Sequence, residues 1–201
     1  MSEPLVLASR SPQRRAILEQ LGVDFTVRAP EVEESTRGEP RAIVIENALA
    51  KARSVAALSS PMDDAAGGPR VLGVDTAVVL DGRVFGKPRD REEAEIFLRR
   101  LSGRTHEVWS GIALVGPDGA ERTESSLTRV RFRLLEEPEL DWYLDSEEWR
   151  ERAGGYAIQG RGAALVEAIE GDFWNVVGLP IPELLKLAPE IAHAPRREGV
   201  S

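Results

Sequence analysis

Hydrophobic and polar residues alternate between residues 128 and 134, where apolar side chains and Thr128 are interleaved with three arginines. A period of two is typical of a strand that buries one face. We therefore predict a half-buried strand that includes Leu134 on its buried side. Apolar runs elsewhere predict further strands. The predicted strands cover residues 5–8, 71–80, 84–85, 106–115, 128–134 and 163–169.

Apolar residues at helical spacing lie between these strands. Ile45, Ala48, Leu49 and Ala52 fall at i, i+3, i+4 and i+7 and predict the buried face of a helix. Because strand–helix units and hairpins are mixed along the chain, we predict an α/β fold with a mixed, partly antiparallel sheet. The predicted helices cover residues 12–21, 40–58, 94–101, 138–144 and 180–187, and residues 59–69 are predicted to form an exposed loop.

The composition limits the chemistry that the chain can perform. The net charge is -8, with 34 acidic and 26 basic residues, and such a surface disfavours binding to a long nucleic acid. The absence of cysteine excludes disulfides, thiolate nucleophiles and cysteine-based zinc sites. Of the two histidines, His193 lies in a tail rich in proline and arginine, so a serine triad would have to use His106. Carboxylates, cations and hydroxyls remain, and these suit magnesium-assisted phosphate chemistry.

The sequence shows no sign of membrane insertion or export. No run approaches the roughly 18 apolar residues of a membrane span. The first residues lack the basic segment and apolar core of a secretory signal. We therefore expect a cytoplasmic protein without a membrane partner.

The segment between the first strand and the first helix is a candidate phosphate site. Ser11 and Pro12 suit the N-cap and first position of the helix, whose free backbone N–H groups can bind an anion. Ser9 and Ser11 add hydroxyl donors, and Arg14 lies in the first turn. Ordinary helix capping with solvated arginines explains the same residues equally well.

Asp75 follows an apolar strand, which is a common position for a metal ligand or a general base. Asp81-Gly82 predicts a hairpin turn, after which Lys87 returns towards the same carboxylate. A lysine is a compact charge suited to phosphate oxygens. Alternatively, Asp75 caps a turn and Lys87 is an ordinary surface residue.

Three weaker candidates complete the set. Glu34 belongs to an acidic stretch that either helps to bind a divalent cation or forms a solvated loop. Lys51 lies among small residues on the second predicted helix and is either a further site residue or an ordinary surface lysine. Gln159 has the donors and acceptor to pair with the imide edge of uracil or thymine, although contacts to a backbone turn would use the same groups.

Taken together, these segments resemble the Maf family in unbroken order from about residue 5 to residue 187. The matching segments are Leu7-Ala8-Ser9-Arg10-Ser11-Pro12, Glu33-Glu34, Leu49-Ala50-Lys51-Ala52, Val74-Asp75-Thr76, Gly86-Lys87-Pro88, residues 101–108, Tyr156-Ala157-Ile158-Gln159-Gly160 and residues 171–180.

The resemblance implies a two-lobed fold shared with inosine triphosphate pyrophosphatases, with the active site in the cleft. We expect one such domain at residues 1–190, and the polar residues 191–201 are expected to form a flexible tail. The resemblance further implies a homodimer that hydrolyses a nucleoside triphosphate to the monophosphate and pyrophosphate with a divalent cation, Mg²⁺ or Mn²⁺.

The resemblance also assigns roles to individual residues. Asp75 falls on the proton acceptor of the family, and Glu34 and Asp75 are the expected metal contacts. Thr76 and Gln159 fall on positions linked to base selection in the branch that acts on dTTP and UTP. The remaining positions, associated with phosphate and cation handling, are Arg14, Glu34, Lys51 and Lys87.

One position departs from the family pattern. Gln13 stands where many members have the first of two arginines, a residue linked to specificity. Either Arg10 or Arg15 compensates, or the preferred nucleotide differs. One alternative is thus the same reaction on another base, such as 7-methyl-GTP. A second, implied by the family's association with septum formation, is a non-catalytic nucleotide-binding regulator of that process.

Overall fold

The computed structural model describes residues 4–58 and 68–193. The strands are β1 (Leu5–Ala8), β2 (Phe25–Arg28), β3 (Arg70–Leu80), β4 (Arg83–Phe85), β5 (Thr105–Val115), β6 (Glu121–Phe132) and β7 (Val166–Glu170). The helices are α1 (Pro12–Gln20), α2 (Pro40–Ala56), α3 (Arg91–Leu101), α4 (Glu137–Leu144), α5 (Phe173–Val177) and α6 (Ile181–Leu187). Short 3₁₀ helices cover Ala153–Gly155, Gly160–Leu165 and Pro189–His193.

All seven strands form one sheet in the order β2-β1-β3-β5-β6-β7, and β4 pairs with β3. The pairs of β1 with β2 and β3 are parallel, and the remaining pairs are antiparallel. This arrangement confirms the predicted α/β fold with a mixed sheet. Within the described residues, no helix is long and apolar enough to span a bilayer.

Helices cover both faces of the parallel part of the sheet. Along β3, Val71 faces α2, whereas Leu72 and Val74 face the cluster formed with α1 and α6. A third cluster lies under α3 and α4, at the β4 and β6 end of the sheet. The burial of β3 on both faces explains its near-continuous apolar sequence.

Helix α2 lies unusually close to the sheet because two glycines face it. A Cβ atom on Gly73 would lie 2.1 Å from the carbonyl oxygen of Ala48, and one on Gly111 would lie 2.2 Å from that of Val44. Gly111 is the cross-strand partner of Asp75. The two glycines therefore bring the backbone of α2 against the part of β3 that carries Asp75.

His106 lies in the third cluster and is 1% exposed. Its Nε2 atom lies 2.8 Å from the hydroxyl of Tyr156, and its ring meets that of Phe132 edge to face. Burial lowers the pKa of His106 to about 4. The imidazole is therefore a neutral core residue at physiological pH.

The structure corrects several details of the sequence prediction. Asp75 lies inside an 11-residue strand rather than at the end of one. Strand β6 ends at Phe132, and Leu134 is 78% exposed. Residues 163–165 belong to a 3₁₀ helix, and β7 begins only at Val166. Strand β2 and helix α5 were not predicted.

The buried face of α2 also differs from the prediction. Ile45 and Leu49 are only half-buried, whereas Asn47 and Lys51 are 5% exposed. The prediction identified the buried face from its apolar residues, so it left out Asn47 and Lys51. These two are buried because they bind the buried carboxylate of Asp75.

Two predicted segments lie wholly or partly outside the described residues. These are residues 59–67 of the predicted loop and residues 194–201 of the predicted tail, which lie outside the described part of the chain. At the start of that tail, Ile191 is buried beside α6.

We predict that Gly73→Ala destabilises the protein by about 1–3 kcal/mol or more, because the added methyl group would overlap the backbone of α2. The free energy of unfolding in urea measures the effect. Gly86→Ala is the matched control, since a Cβ atom there meets nothing within 4 Å. Equal stability of the two variants would contradict the close approach.

We predict that His106 makes the protein less stable as the pH falls from 6.5 to 4. Its pKa is about 4 in the folded protein and has its ordinary value of about 6.5 in the unfolded chain, so only the unfolded chain takes up the proton in this window. The contribution is about 3 kcal/mol, present above pH 6.5 and lost by pH 4. Urea unfolding across this range should show a shallower pH dependence for His106→Phe, and parallel curves would exclude this role.

Candidate active site

A cavity of about 720 Å³ is lined by Asp75 and Thr76 in the middle of β3. Its walls come from the segment after β1, the segment before α2, the middle of β3 and the segment after β4. Most of the candidate site residues, although far apart in the sequence, therefore line the same cavity. The predicted residues that line it are Ser9, Ser11, Arg14, Glu34, Lys51, Asp75, Thr76 and Lys87.

Two carboxylates share one ammonium group in this cavity. The Nζ atom of Lys51 lies 2.5 Å from Oδ1 of Asp75 and 2.7 Å from Oε1 of Glu34. The side chains of Lys51 and Asp75 are 6% and 8% exposed, so water compensates little of their charge. The pair is stable in the interior because each member neutralises the other.

Asn47 is a site residue that the sequence reasoning missed. Its Nδ2 atom donates to Oδ2 of Asp75 at 2.9 Å and to the carbonyl oxygen of Ser35 at 3.0 Å. Its Oδ1 atom accepts from the backbone N–H of Ser35 at 2.9 Å. Asn47 therefore connects Asp75 to the segment that carries Glu34. The available signal was a polar residue one helical turn before Lys51.

Opposing influences act on Glu34. Burial alone would raise the pKa of its carboxyl group, but Lys51, with smaller contributions from Lys87 and Arg14, outweighs burial and lowers it. Glu34 is therefore an anion at neutral pH, with 41% of its side chain exposed towards the cavity.

Arg14 connects three parts of the chain. Its Nε atom donates to the carbonyl oxygen of Gly178 at 2.9 Å, and Nη1 donates to that of Val74 at 2.8 Å. Nη2 donates to Oγ1 of Thr76 at 3.1 Å. Burial lowers the pKa of Arg14, and the charges of Asp75 and Glu34 oppose this effect. The guanidinium thus contributes positive charge from a fixed position.

The serine segment is ordered by its own hydroxyl groups. The backbone N–H of Ser11 donates to Oγ of Ser9 at 3.1 Å, and Arg14 donates to the same oxygen at 3.3 Å. Ser11 forms the N-cap of α1, as predicted. The hydroxyl of Thr76 lies 3.0 Å from that of Ser110. Helix capping and a phosphate cradle are compatible in this arrangement.

Lys87 lines the cavity without contacting Asp75. Its Nζ atom lies 3.1 Å from Oε2 of Glu151, and both side chains are largely exposed. Glu151 has a positive φ of 58°, an uncommon conformation for a residue other than glycine. Sequence spacing could not have revealed this pair, because it joins residues 64 positions apart.

Gln13 and Gln159 lie in a second, smaller cavity of about 270 Å³. Oε1 of Gln13 accepts hydrogen bonds from the hydroxyl of Ser11 and from Nη1 of Arg152. Gln159 is exposed. Of the two arginines considered as replacements at position 13, Arg15 pairs with Glu19 and Arg10 lines the larger cavity.

The carboxylates of Glu34 and Asp75 have the hard oxygen ligands that Mg²⁺ and Mn²⁺ prefer. Among residues 4–58 and 68–193, no group of three or more acidic or histidine side chains could hold a metal ion. The residues therefore fit a cation that retains water and binds substrate phosphates, and do not form a complete protein cage.

We predict that Lys51→Met lowers the free energy of unfolding by about 3–5 kcal/mol, because it leaves Asp75 buried without a counter-charge. Urea denaturation measures the loss. Adding Asp75→Asn to this variant should restore part of the stability, and a double variant no more stable than the single one would refute the explanation. Lys87→Met is the control, since an exposed pair contributes about 1 kcal/mol or less.

Comparison with known proteins gives the family. A family model described as "Maf-like protein" matches residues 4–191. A dTTP/UTP pyrophosphatase from Symbiobacterium thermophilum is 44% identical over 95% of both chains. Proteins of the same name are 43% identical in Pyrococcus furiosus, over 96% of this chain and 97% of the relative, and 47% identical in Moorella thermoacetica, over 91% and 92%.

Solved structures give a partial likeness. The Staphylococcus aureus Ham1 protein is 17% identical, with a TM-score of 0.45 over 65% of this chain and 72% of that chain. A HAM1 protein from Coxiella burnetii is 20% identical, with a TM-score of 0.46 over 65% and 73%. The assignment rests on the sequence relatives, whose similarity extends over nearly the whole chain. By that similarity, this chain is a member of the Maf-like protein family.

Proposed function

We propose that this protein hydrolyses dTTP and UTP to the nucleoside monophosphate and pyrophosphate, with Asp75 as the general base and a divalent cation, Mg²⁺ or Mn²⁺, at Glu34 and Asp75. The observation that carries the proposal is the cavity in which the buried Asp75 carboxylate meets Glu34, Lys51 and Arg14. The names of relatives at 43–47% identity support the same reaction.

The charges around the cavity suit a triphosphate. Arg14 and Lys51 place positive charge beside Asp75, and Lys87 adds an exposed ammonium at the rim. Phosphoryl transfer depends mainly on positioning and on stabilisation of developing negative charge. Arg14, Lys87 and the segment from Ser9 to Ser11 would stabilise the charge that develops on pyrophosphate.

Asp75 retains the capacity to bind a water molecule. Each of its oxygens accepts one protein hydrogen bond, from Lys51 or from Asn47, and a carboxylate oxygen can accept more than one. Asn47 and Lys51 hold the carboxylate in one orientation. In our proposal Asp75 takes the proton of the water molecule that attacks the α-phosphorus.

The divalent cation would be held by Glu34 and Asp75 together with phosphate oxygens. When bound, it offsets negative charge on the triphosphate and polarises the phosphoryl group. Lys51, which contacts both carboxylates, keeps them close together before the cation arrives.

We assign the nucleobase of the substrate to the second cavity. It joins the larger cavity along shared walls, and Gln159 there can present a donor beside an acceptor to the imide edge of uracil or thymine. Thr76, the other residue that the family resemblance links to base selection, lines the larger cavity on β3, where Arg14 donates to its hydroxyl. Cytoplasmic location, a homodimer and a single domain at residues 1–190 remain predictions.

We predict that the purified protein with Mg²⁺ releases pyrophosphate from dTTP and UTP with a higher kcat/KM than from purine nucleotides or 7-methyl-GTP. A coupled pyrophosphate assay over a nucleotide panel measures this preference. Equal rates for purines and pyrimidines would contradict the base-reading role of Gln159. Nucleotide binding without turnover would instead favour a regulatory protein.

Asp75→Asn is the control for this assay, because it removes the base and preserves the size of the side chain. Loss of a charge-assisted contact alone costs roughly ten- to a hundredfold in rate, and loss of the base should cost more. Near-normal turnover by a folded Asp75→Asn variant would show that Asp75 is not the base.

A further inference from the structure

The two cavities meet at a small set of shared residues. Arg152, Tyr156, Val176 and Val177 line both of them. Tyr156 is held by His106, and the two valines are apolar, so Arg152 is the charged member of this set. A ligand that extends from one cavity into the other would therefore lie beside these four residues, including the guanidinium of Arg152.

Arg152 differs in its partners from the two lysines and from Arg150, which line the same cavity. Lys51 and Lys87 pair with carboxylates, and Arg150 pairs with Glu147. Within the described parts of the chain, Arg152 forms no ion pair with a carboxylate, and its Nε atom is buried without a hydrogen-bond partner. An incompletely satisfied, half-buried guanidinium is a costly group unless a ligand completes its contacts.

Electrostatics supports an anionic ligand at this position. Burial lowers the pKa of Arg152, and interactions with Tyr143, Glu148 and Glu151 only partly offset this effect. An anion placed against the guanidinium would offset this penalty more effectively than a neutral carbonyl group, because Coulomb attraction between opposite charges adds to the hydrogen bond.

The surrounding segment holds Arg152 in place. Gly154, with a φ of 70°, donates its N–H to the carbonyl oxygen of Gly86 at 3.0 Å. A Cβ atom at Gly154 would lie 2.9 Å from Val78, so the turn lies directly against β3. Gln13 accepts a hydrogen bond from Nη1 of Arg152 on the other side. The guanidinium is thus positioned before a ligand binds.

We propose that Arg152 is a phosphate-binding residue at the junction of the two cavities, and that Gln13 is the positioning residue that orients its guanidinium. This inference rests on the proposed function, since it assigns the triphosphate and the base to adjoining cavities. Gln13 is suited to the role because its Oε1 atom also accepts from Ser11, so its side chain is fixed in the first turn of α1.

We predict that Arg152→Gln raises KM for UTP roughly ten- to a hundredfold, with a smaller change in kcat, because one charge-assisted contact to the phosphates is lost. The affinity for inorganic pyrophosphate, measured by calorimetry with Mg²⁺, should fall by a similar factor. Arg161→Gln is the matched control: it removes the same charge from an exposed side chain that lies over Trp142. It should leave both values unchanged.

Exchange of the two residues separates ligand binding from a structural role. The double variant Gln13→Arg with Arg152→Gln exchanges the two side chains, so that a guanidinium on α1 replaces the one lost from position 152. It should recover most of the lost affinity for pyrophosphate. Gln13→Ala, which retains Arg152 and removes its partner, should give a smaller rise in KM and keeps the test available if Arg152→Gln does not fold.

Unchanged KM and pyrophosphate affinity in Arg152→Gln would overturn the proposal, as would a loss that the exchange variant does not recover. The calorimetric measurement does not depend on turnover. Absence of hydrolysis by the wild-type protein would therefore refute the proposed function, whereas equal pyrophosphate binding by wild type and Arg152→Gln would refute the role of Arg152.

Discussion

The close contact of α2 with the sheet is the constraint on which the rest of the site depends. Gly73 and Gly111 leave no side chain between the helix and the strands, and any Cβ atom there would overlap the helix backbone. Only this approach lets Lys51 and Asn47, on the helix, reach the carboxylate of Asp75 on β3. The arrangement of charged groups in the cavity thus depends on the lack of a side chain at one position in each of two neighbouring strands.

Charge balance follows from that contact. Glu34 and Asp75 would repel each other across the cavity if Lys51 did not contact both. The cluster is compact, since one ammonium neutralises parts of two carboxylates and Asn47 satisfies a further oxygen. A buried pair of this kind is stable only while its hydrogen bonds are complete. The charged state of the site therefore depends on the packing of α2 against β3, because the same few residues provide both.

Local pattern predicted most elements, because burial of one face imposes a regular period on helices and strands. It could not predict β2, whose four residues alternate too briefly, nor the exposure of Leu134 beyond the end of β6. Family resemblance identified the residues that line the cavity, but not their pairing. Asn47, Glu151 and Arg152 acquire their contacts only when distant segments meet, and spacing along the chain contains no record of such contacts.

Arg14 has a consequence for how the site could change shape. Its three nitrogen atoms contact the carbonyl of Gly178, the carbonyl of Val74 and the hydroxyl of Thr76, so Arg14 ties α1 to β3 and to the segment after α5. Another part of the cavity lining carries Glu151, whose ion pair with Lys87 is exposed and readily exchanged for contacts with water. Adjustment to substrates of different size would therefore occur at Lys87 and Glu151, and the part of the cavity held by Arg14 would stay in place.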